Sequence, residues 1–306
     1  MGVKIKIYRA DKLLAETEGV PGETVLQRLS AAGVFLDAPC GGRGRCGKCL
    51  VRLSSGGEEV RACQTVVDGG TDVYLPDEMK MKIAGQEPSA AAAAAAAGPL
   101  GVAIDIGTTT VVAHLTELAT GARVATASGV NAQRPYGADV ISRIEYSAAH
   151  GHGTLSRLIQ AQLDGLIETA LQKSGADKND IHYIAIAGNT IMEHLAAGFS
   201  PVGMGTVPFE PVSLFGGELP AWDTLPAAKD AKIYFAPAIS SYVGGDITAG
   251  MLYSKLGETR GPCVYIDIGT NGEIAMKLGE QYYCCATAAG PAFEGAEISK
   301  GMAAIS

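Results

Sequence analysis

Hydrophobic and polar residues alternate from the start of the chain. Val3, Ile5 and Ile7 fall on one side and Lys4 and Lys6 on the other, which predicts a half-buried strand rather than a leader peptide. A second short strand is expected over 13–17. Val25, Leu26 and Leu29 recur at helical spacing and predict a helix over 24–32, closed by Gly33. Residues 73–75 read as a further strand. From Gly101 the pattern changes: strands over 101–106, 110–116 and 123–129 form a meander, followed by helices near 137–149 and 154–173. In the second of these helices Leu155, Leu158, Ile159, Leu163, Leu166, Ile167, Ala170 and Leu171 make one buried face. A strand over 183–187, a short helix after Asn189, a strand over 232–235, a helix near 243–255 and a new meander from 263 complete the reading. Such interleaving predicts an α/β fold.

Composition narrows the class. With 306 residues the chain has material for two or three domains. Lys and Arg number 24 against 32 Asp and Glu, a formal charge of −8 that argues against a nucleic-acid-binding surface. The longest apolar run, the alanines 90–97, is too short and too weakly hydrophobic to span a bilayer, so a cytoplasmic protein without membrane contact is expected. Framed by Pro88-Ser89 and Gly98-Pro99, that run reads as a tether. The 40 glycines are about twice the ordinary share of about 7%, so the backbone must turn tightly or approach a ligand at several places.

Four of the seven cysteines crowd into one region, with the spacing Cys40-x5-Cys46-x2-Cys49-x13-Cys63. In a reducing compartment such a cluster reads as metal ligation rather than as disulfides. Gly41, Gly42, Gly44 and Gly47 let the loop wrap a cluster and aim N–H groups at its sulfurs. A structural zinc site also uses four thiolates, but zinc modules usually pair two C-x2-C units and only one is present. Residues 1–79, through Ala38-Pro39-Cys40, Cys46-Gly47-Lys48-Cys49 and Ala62-Cys63-Gln64, resemble a β-grasp [2Fe–2S] ferredoxin of the C-x5-C-x2-C kind. The resemblance implies Cys40, Cys46, Cys49 and Cys63 as cluster ligands. The interval before Cys63 is shorter than such ferredoxins usually have, which bears on the potential. Arg43, Arg45 and Lys48 can steer an acidic redox partner or serve loop solubility. Cys263, Cys284 and Cys285 are expected to be buried structural thiols.

A second motif occurs twice. Ile104-Asp105-Ile106-Gly107-Thr108-Thr109-Thr110 and Ile266-Asp267-Ile268-Gly269-Thr270-Asn271-Gly272 each run from a strand through Asp and Gly into hydroxyl or amide residues. A loop of this kind presents N–H groups and hydroxyls to phosphate oxygens while the carboxylate holds Mg2+ through water. One copy also fits an ordinary hairpin turn; two copies, each opening a meander, point to duplication. The arrangement resembles the actin, sugar-kinase and chaperone ATPase superfamily, in which two ribonuclease H-like lobes clamp ATP. That resemblance implies nucleotide-binding roles for Asp105, Gly107, Thr108, Thr109 and Thr110 and for Asp267, Gly269, Thr270, Asn271 and Gly272. Gly244-Gly245-Asp246 stands where the superfamily places its interlobe connection. Asp246 is then either an Mg2+-associated or hydrolysis-promoting carboxylate, or a first-turn carboxylate facing the helix dipole. Asn189 is either a helix N-cap or a neighbour of the γ-phosphate. The second lobe is expected to be incomplete within 306 residues. His150 and His152 read as solvated loop residues.

The segments 133–144, 187–195 and 286–297 complete a wider match. Nearly the whole chain resembles the ATP-dependent reductive activators of corrinoid proteins. The resemblance implies a [2Fe–2S] cluster, ATP and Mg2+ as cofactors, and one-electron reduction of cob(II)amide to cob(I)amide. It further implies a corrinoid protein of a methyltransferase system and a low-potential electron donor as partners; a homodimer is left open. The expected domains are the ferredoxin at 1–79, the linker at 80–100, a first lobe at 101–260 and the start of a second at 261–306. A nucleotide-binding redox sensor, or a plain electron carrier without ATP coupling, is the alternative.

Overall fold

The computed structural model describes residues 3–19, 21–34, 36, 38, 42–66, 70–76, 98–219, 231–269 and 272–287. Cys40, Thr270 and Asn271, the tether at 88–97 and most of the segment 286–297 lie outside the described residues. By contact the chain divides into two compact units, described here through residues 3–76 and through residues 98–133 and 139–287.

In the first unit, strands β1 (Val3–Arg9), β2 (Lys12–Gly19), β3 (Leu50–Arg52), β4 (Glu59–Arg61) and β5 (Val73–Leu75) form one sheet in the order β2-β1-β5-β3-β4. β1 pairs antiparallel with β2 and parallel with β5, and helix α1 (Val25–Ala31) lies between β2 and β3 in sequence. The alternation read from the sequence holds: Ile5 and Ile7 are buried, whereas Lys4 and Lys6 are exposed. α1 starts on a capping box in which the Thr24 side chain accepts from the Gln27 N–H at 3.3 Å and Gln27 Oε1 accepts from the Thr24 N–H at 2.8 Å. Its Val25, Leu26 and Leu29 join Ile5, Ile7, Val51 and Val73 in the core. This is the β-grasp arrangement. β3 and β4 have three residues each, too few for a period-2 signal to emerge from the sequence.

The second unit opens with β6 (Leu100–Ile106), β7 (Thr110–Glu117) and β8 (Arg123–Val130), then α2 (Val140–His150), α3 (Gly153–Ser174), β9 (Ile181–Gly188) and α4 (Thr190–Ala197). β10 (Gly217–Leu219) and β11 (Lys232–Phe235) complete a six-stranded sheet in the order β10-β11-β9-β6-β7-β8. β6, β9 and β11 are parallel and the meander β6-β7-β8 is antiparallel, a ribonuclease H-like lobe. Open sheets of this kind bind ligands outside the carboxyl ends of their parallel strands. Here those ends are Asp105-Ile106 and Gly188, which sit side by side, and Phe235 beside them. α3 packs on β7 and β8 through Leu155, Ile159, Leu163, Leu166, Ile167, Ala170 and Leu171, all buried; Leu158, expected on that face, is half-buried.

After α5 (Gly245–Tyr253) the chain builds a three-stranded sheet from β12 (Cys263–Ile268), β13 (Gly272–Leu278) and β14 (Gln281–Thr287). α5 touches both β9 of the first sheet and β13 of this one. The inner face of β13 is buried at Glu273, Ala275 and Lys277, around a small core of Val243, Ile247, Leu256 and Ala275. The other face presents Val264, Ile266, Ile268 and Tyr283 to solvent. This corrects the expectation of buried thiols: Cys285 is exposed on that open face, whereas Cys263 and Cys284 are half-buried, packed against the small core on the inner face.

Leu163 is fully buried and Glu168, on the same helix, is exposed. In urea denaturation, Leu163→Ala is expected to cost about 2–5 kcal/mol and Glu168→Ala less than about 0.5 kcal/mol. Equal effects would contradict the assigned face.

Candidate functional site

The first loop, between β6 and β7, is held from behind. The Asn131 side-chain amide donates to the Gly107 carbonyl at 2.8 Å, and the Asn131 backbone N–H donates to the Thr109 carbonyl at 2.8 Å. Between them, the Arg143 guanidinium on α2 donates to the Thr108 carbonyl at 2.5 Å. With three consecutive carbonyls engaged, the loop is fixed in shape. Arg143 is fully buried and also donates to Gln133 Oε1 at 3.1 Å, while Gln133 donates to the Leu155 carbonyl at 3.0 Å. The Thr108 hydroxyl accepts from the Asn189 side-chain amide at 3.0 Å. Asn189 is also the N-cap of α4, its oxygen accepting the Met192 N–H at 3.0 Å, so it joins the loop to that helix.

Glycines let these segments close together. A Cβ at Gly107 would stand 2.7 Å from the Thr110 carbonyl oxygen, and one at Gly188 would stand 2.7 Å from that of Ile106. A Cβ at Gly244 would overlap the backbone of Gly188, Asn189 and Thr190. Gly244-Gly245 thus presses the start of α5 onto the start of α4.

Carboxylates gather at the same place. Asp105 lies at the end of β6, Asp246 in the first turn of α5, Asp267 near the end of β12 and Glu273 opposite Asp267 on β13. Partial desolvation, then the Asp267 charge, lifts Asp105 to about 6, although its side chain keeps solvent contact. Burial, with Asp105 and Asp267 adding, lifts Asp246 to about 6. Burial followed by the charges of Asp246 and Asp267 lifts Glu273 to about 7. The Tyr265 hydroxyl donates to Asp267 at 3.2 Å, and its ring occupies the space left by the missing Cβ of Gly250 on α5. Like charges drawn this close call for protons or a cation. Among the described residues no three His, Cys, Asp or Glu stand close enough to ligate a metal directly.

One further carboxyl was not anticipated. Glu193 on α4 has no solvent exposure and neither oxygen has a hydrogen-bond partner. Burial and then the Asp246 charge lift it to about 9, against the opposing pull of the nearby Gly245 amide. Of the sequence-derived nucleotide residues, Asp105, Gly107, Thr108, Thr109, Thr110, Asp246, Asp267, Gly269 and Gly272 are described, and Thr270 and Asn271 are not. Asn131, Gln133, Arg143, Gly188 and Glu193 carry supporting contacts that sequence reasoning did not assign. Gln133, Arg143, Gly188 and Glu193 fall in the segments 133–144 and 187–195 that carry the wider family resemblance, which marks the segments but not what each side chain does.

In the first unit Cys49 and Cys63 are buried and Cys46 is half-buried. Their thiols are close enough to influence one another: burial pushes Cys49 up to about 11, and the neighbouring Cys63 and Cys46 add to it. Such thiols ionise together only when a cation compensates them. Gly42, Gly44 and Gly47 have φ of 82°, 74° and 66°, left-handed values at which a side chain is strained, and a Cβ on Gly42 would press on Leu26 at 3.2 Å. The Gln64 side chain reaches the Cys63 sulfur at 3.8 Å. Among the described residues, Cys46, Cys49 and Cys63 do not together make a site for one metal ion, whereas a two-iron group spreads four thiolates over two irons, and buried neighbouring thiols in a glycine-turned loop fit that group. Arg43 and Arg45 are exposed beside them. His150 is exposed as expected; His152 is half-buried, with Nε2 3.0 Å from the Gly198 carbonyl.

Comparison with known proteins gives three successive matches: a 2Fe-2S iron-sulfur cluster binding domain over residues 10–68, the RACo middle region over 100–259, and the C-terminal ASKHA domain of RACo over 261–306. The corrinoid activation enzyme RamQ of Eubacterium limosum is 30% identical, over 95% of this chain and 62% of its own length. A [Co(II) methylated amine-specific corrinoid protein] reductase of Methanosarcina barkeri is 27% identical over 67% of this chain and 39% of its own. The solved structure of a reductive activator for a corrinoid, iron-sulfur protein superposes with a TM-score of 0.63 at 26% identity, covering 98% of this chain and 65% of that one. The chain therefore spans less than two thirds of the length of each of these relatives. No described helix is long and apolar enough to cross a membrane.

The raised carboxylates bind protons more tightly in the fold than in the open chain, so their contribution to stability falls as pH rises from about 4 through 7. Mg2+ needs the ionised forms, so its stabilisation grows over the same window. The rise in Tm on adding Mg2+ with ADP is expected to be larger at pH 8 than at pH 5, and to shrink in Asp105→Asn. An equal rise at both pH values would contradict the site.

Proposed function

Because the chain belongs to the RACo family, whose middle region matches residues 100–259, we propose that it serves the ATP-dependent reductive activation of a corrinoid protein, cob(II)amide to cob(I)amide. The observation that carries this reading is the presence in one chain of a cysteine loop fit for a cluster and a braced phosphate-type loop facing a second Asp-Gly hairpin. The names of the relatives support it.

Cys40, Cys46, Cys49 and Cys63 would hold a [2Fe–2S] cluster, which when bound supplies one-electron transfer. Around that group the chain's own part is to bury Cys49 and Cys63, and to present Arg43 and Arg45 to an acidic low-potential donor. In the second unit the backbone N–H groups and hydroxyls of Gly107, Thr108, Thr109 and Thr110 receive the nucleotide's phosphates, with Gly269, Thr270, Asn271 and Gly272 doing so from the second hairpin. Asp105 and Asp267 would hold Mg2+, which when bound would neutralise phosphate charge, and Asp246 would promote hydrolysis by orienting the attacking water. Binding between two hairpins favours their closed arrangement, and hydrolysis removes the γ-phosphate that favours it. Closure coupled to electron transfer is how ATP would drive a reduction that is otherwise uphill.

Anaerobic protein given reductant and a cob(II)amide partner protein is expected to generate the cob(I)amide absorbance only with ATP, and Asp105→Asn to slow it at least about tenfold, the loss expected when a charge-stabilising group is removed. Reduction at the same rate without ATP would sink the reading in favour of a plain electron carrier. Electron paramagnetic resonance of the reduced protein should give a one-electron [2Fe–2S] signal that is lost in Cys46→Ser. Bound zinc in place of iron would overturn the redox half of the proposal.

A further inference from the structure

Helix α5 carries Asp246 into the site, yet it begins without a side-chain cap of its own, because its first residues are Gly244 and Gly245. The first N–H groups of a helix have no acceptor within the helix and ordinarily find one in a capping side chain. Asp246 serves one of them, its Oδ1 accepting the Ile247 N–H at 2.8 Å. The Gly245 amide is served by no group on α5's own side chains.

The acceptor nearest that amide comes from another helix. A Cβ placed on Gly245 would overlap Glu193 Oε1 of α4 and would lie 2.8 Å from the Ala236 Cβ. Glu193 is fully buried and both of its oxygens lack a hydrogen-bond partner. A buried carboxyl left in this state destabilises the fold relative to a satisfied one, so its presence calls for a reason. Gly244 meanwhile rests on the backbone of Gly188, Asn189 and Thr190, so the two helices meet start to start. The loop that faces the phosphates is tied to the same junction through Asn189 and Thr108.

We propose that Glu193 is a positioning residue that caps α5 from α4, taking the Gly245 N–H, and so sets where Asp246 stands relative to Asp105 and the first hairpin. The contact is loose in the free protein and tightens when nucleotide closes the site, as hydrogen bonds around catalytic groups often do. The absence of a Cβ at residue 245 is what admits the carboxyl. This inference rests on the reading of Asp246 as part of the nucleotide site.

The test is hydrogen exchange at residues 245–247, with and without Mg2+ and ATP, alongside ATP turnover, in the wild type, Glu193→Gln, Glu193→Leu and Gly245→Ala. A Gln oxygen can accept the same N–H; Leu fills similar space without an acceptor; Ala at 245 collides with the carboxyl although it is the better helix former. Glu193→Leu and Gly245→Ala are expected to lose at least about fivefold in protection, the size of a lost cap, and to lower kcat with KM within about threefold. Glu193→Gln is expected to stay within about threefold of the wild type in both. Wild-type protection in Glu193→Leu, or a loss in Glu193→Gln as large as that in Glu193→Leu, would overturn the proposal. Should Glu193→Leu fail to fold, wild-type exchange in Gly245→Ala overturns it equally. A wild type without ATP turnover would sink the proposed function, while the exchange comparison would still decide the role of Glu193.

Discussion

The bracing of the first hairpin is the constraint on which the rest of the site depends. A loop of Gly and three Thr has many conformations, and an N–H array binds phosphate well only if it is fixed beforehand. Asn131 and Arg143 fix it by donating to the carbonyls of Gly107, Thr108 and Thr109. Each brace comes from a different place in the chain: Asn131 just past β8, Arg143 on α2, and Asn189 at the start of α4. The ribonuclease H-like order of strands is what brings the ends of β6, β8 and β9 near one another, so the topology and the site are one arrangement. Burying the whole Arg143 side chain is costly, and the guanidinium recovers part of that cost through its bonds to Thr108, Gln133 and Met192.

Against this braced loop stands a group of carboxylates that repel one another. Asp105, Asp246 and Glu273 all sit well above the usual carboxylate range because burial and like charge act together. Structures tolerate such strain where a ligand relieves it, and a divalent cation has the charge to do so. α5 is the mechanical link: it lies against β9 at one side and β13 at the other, and Tyr265 locks into the gap at Gly250. A change in the distance between the hairpins therefore acts directly on α5.

Much of this was legible in the sequence because it is periodic or repeated. The alternation of Val3 to Ile7, the apolar face of α3 and the twin Asp-x-Gly motifs each impose a pattern over many residues. The supporting contacts were not legible: Arg143 stands near Ser142 and Glu145, and Glu193 beside His194, and only the tertiary packing decides which polar residue of a helix faces solvent and which the core. The short strands β3, β4 and β10 were missed for the related reason that three residues carry too little pattern. Cys285 was misjudged because apolar neighbours in a strand predict burial, whereas its face of β12-β13-β14 is open among the described residues; Cys263 and Cys284 lie on the other face, half-buried against the core.

The central claim is that a hairpin held through its carbonyls receives a nucleotide through its N–H groups. Amide chemical shifts of residues 107–110, followed by nuclear magnetic resonance during titration with Mg2+ and ADP, test it most directly. The account predicts saturable shifts at Gly107 to Thr110 in the wild type. It also predicts their loss in Arg143→Ala while the shifts of α3 show the lobe still folded. Saturable binding that leaves residues 107–110 unmoved, or unchanged shifts at those residues in Arg143→Ala, would contradict it.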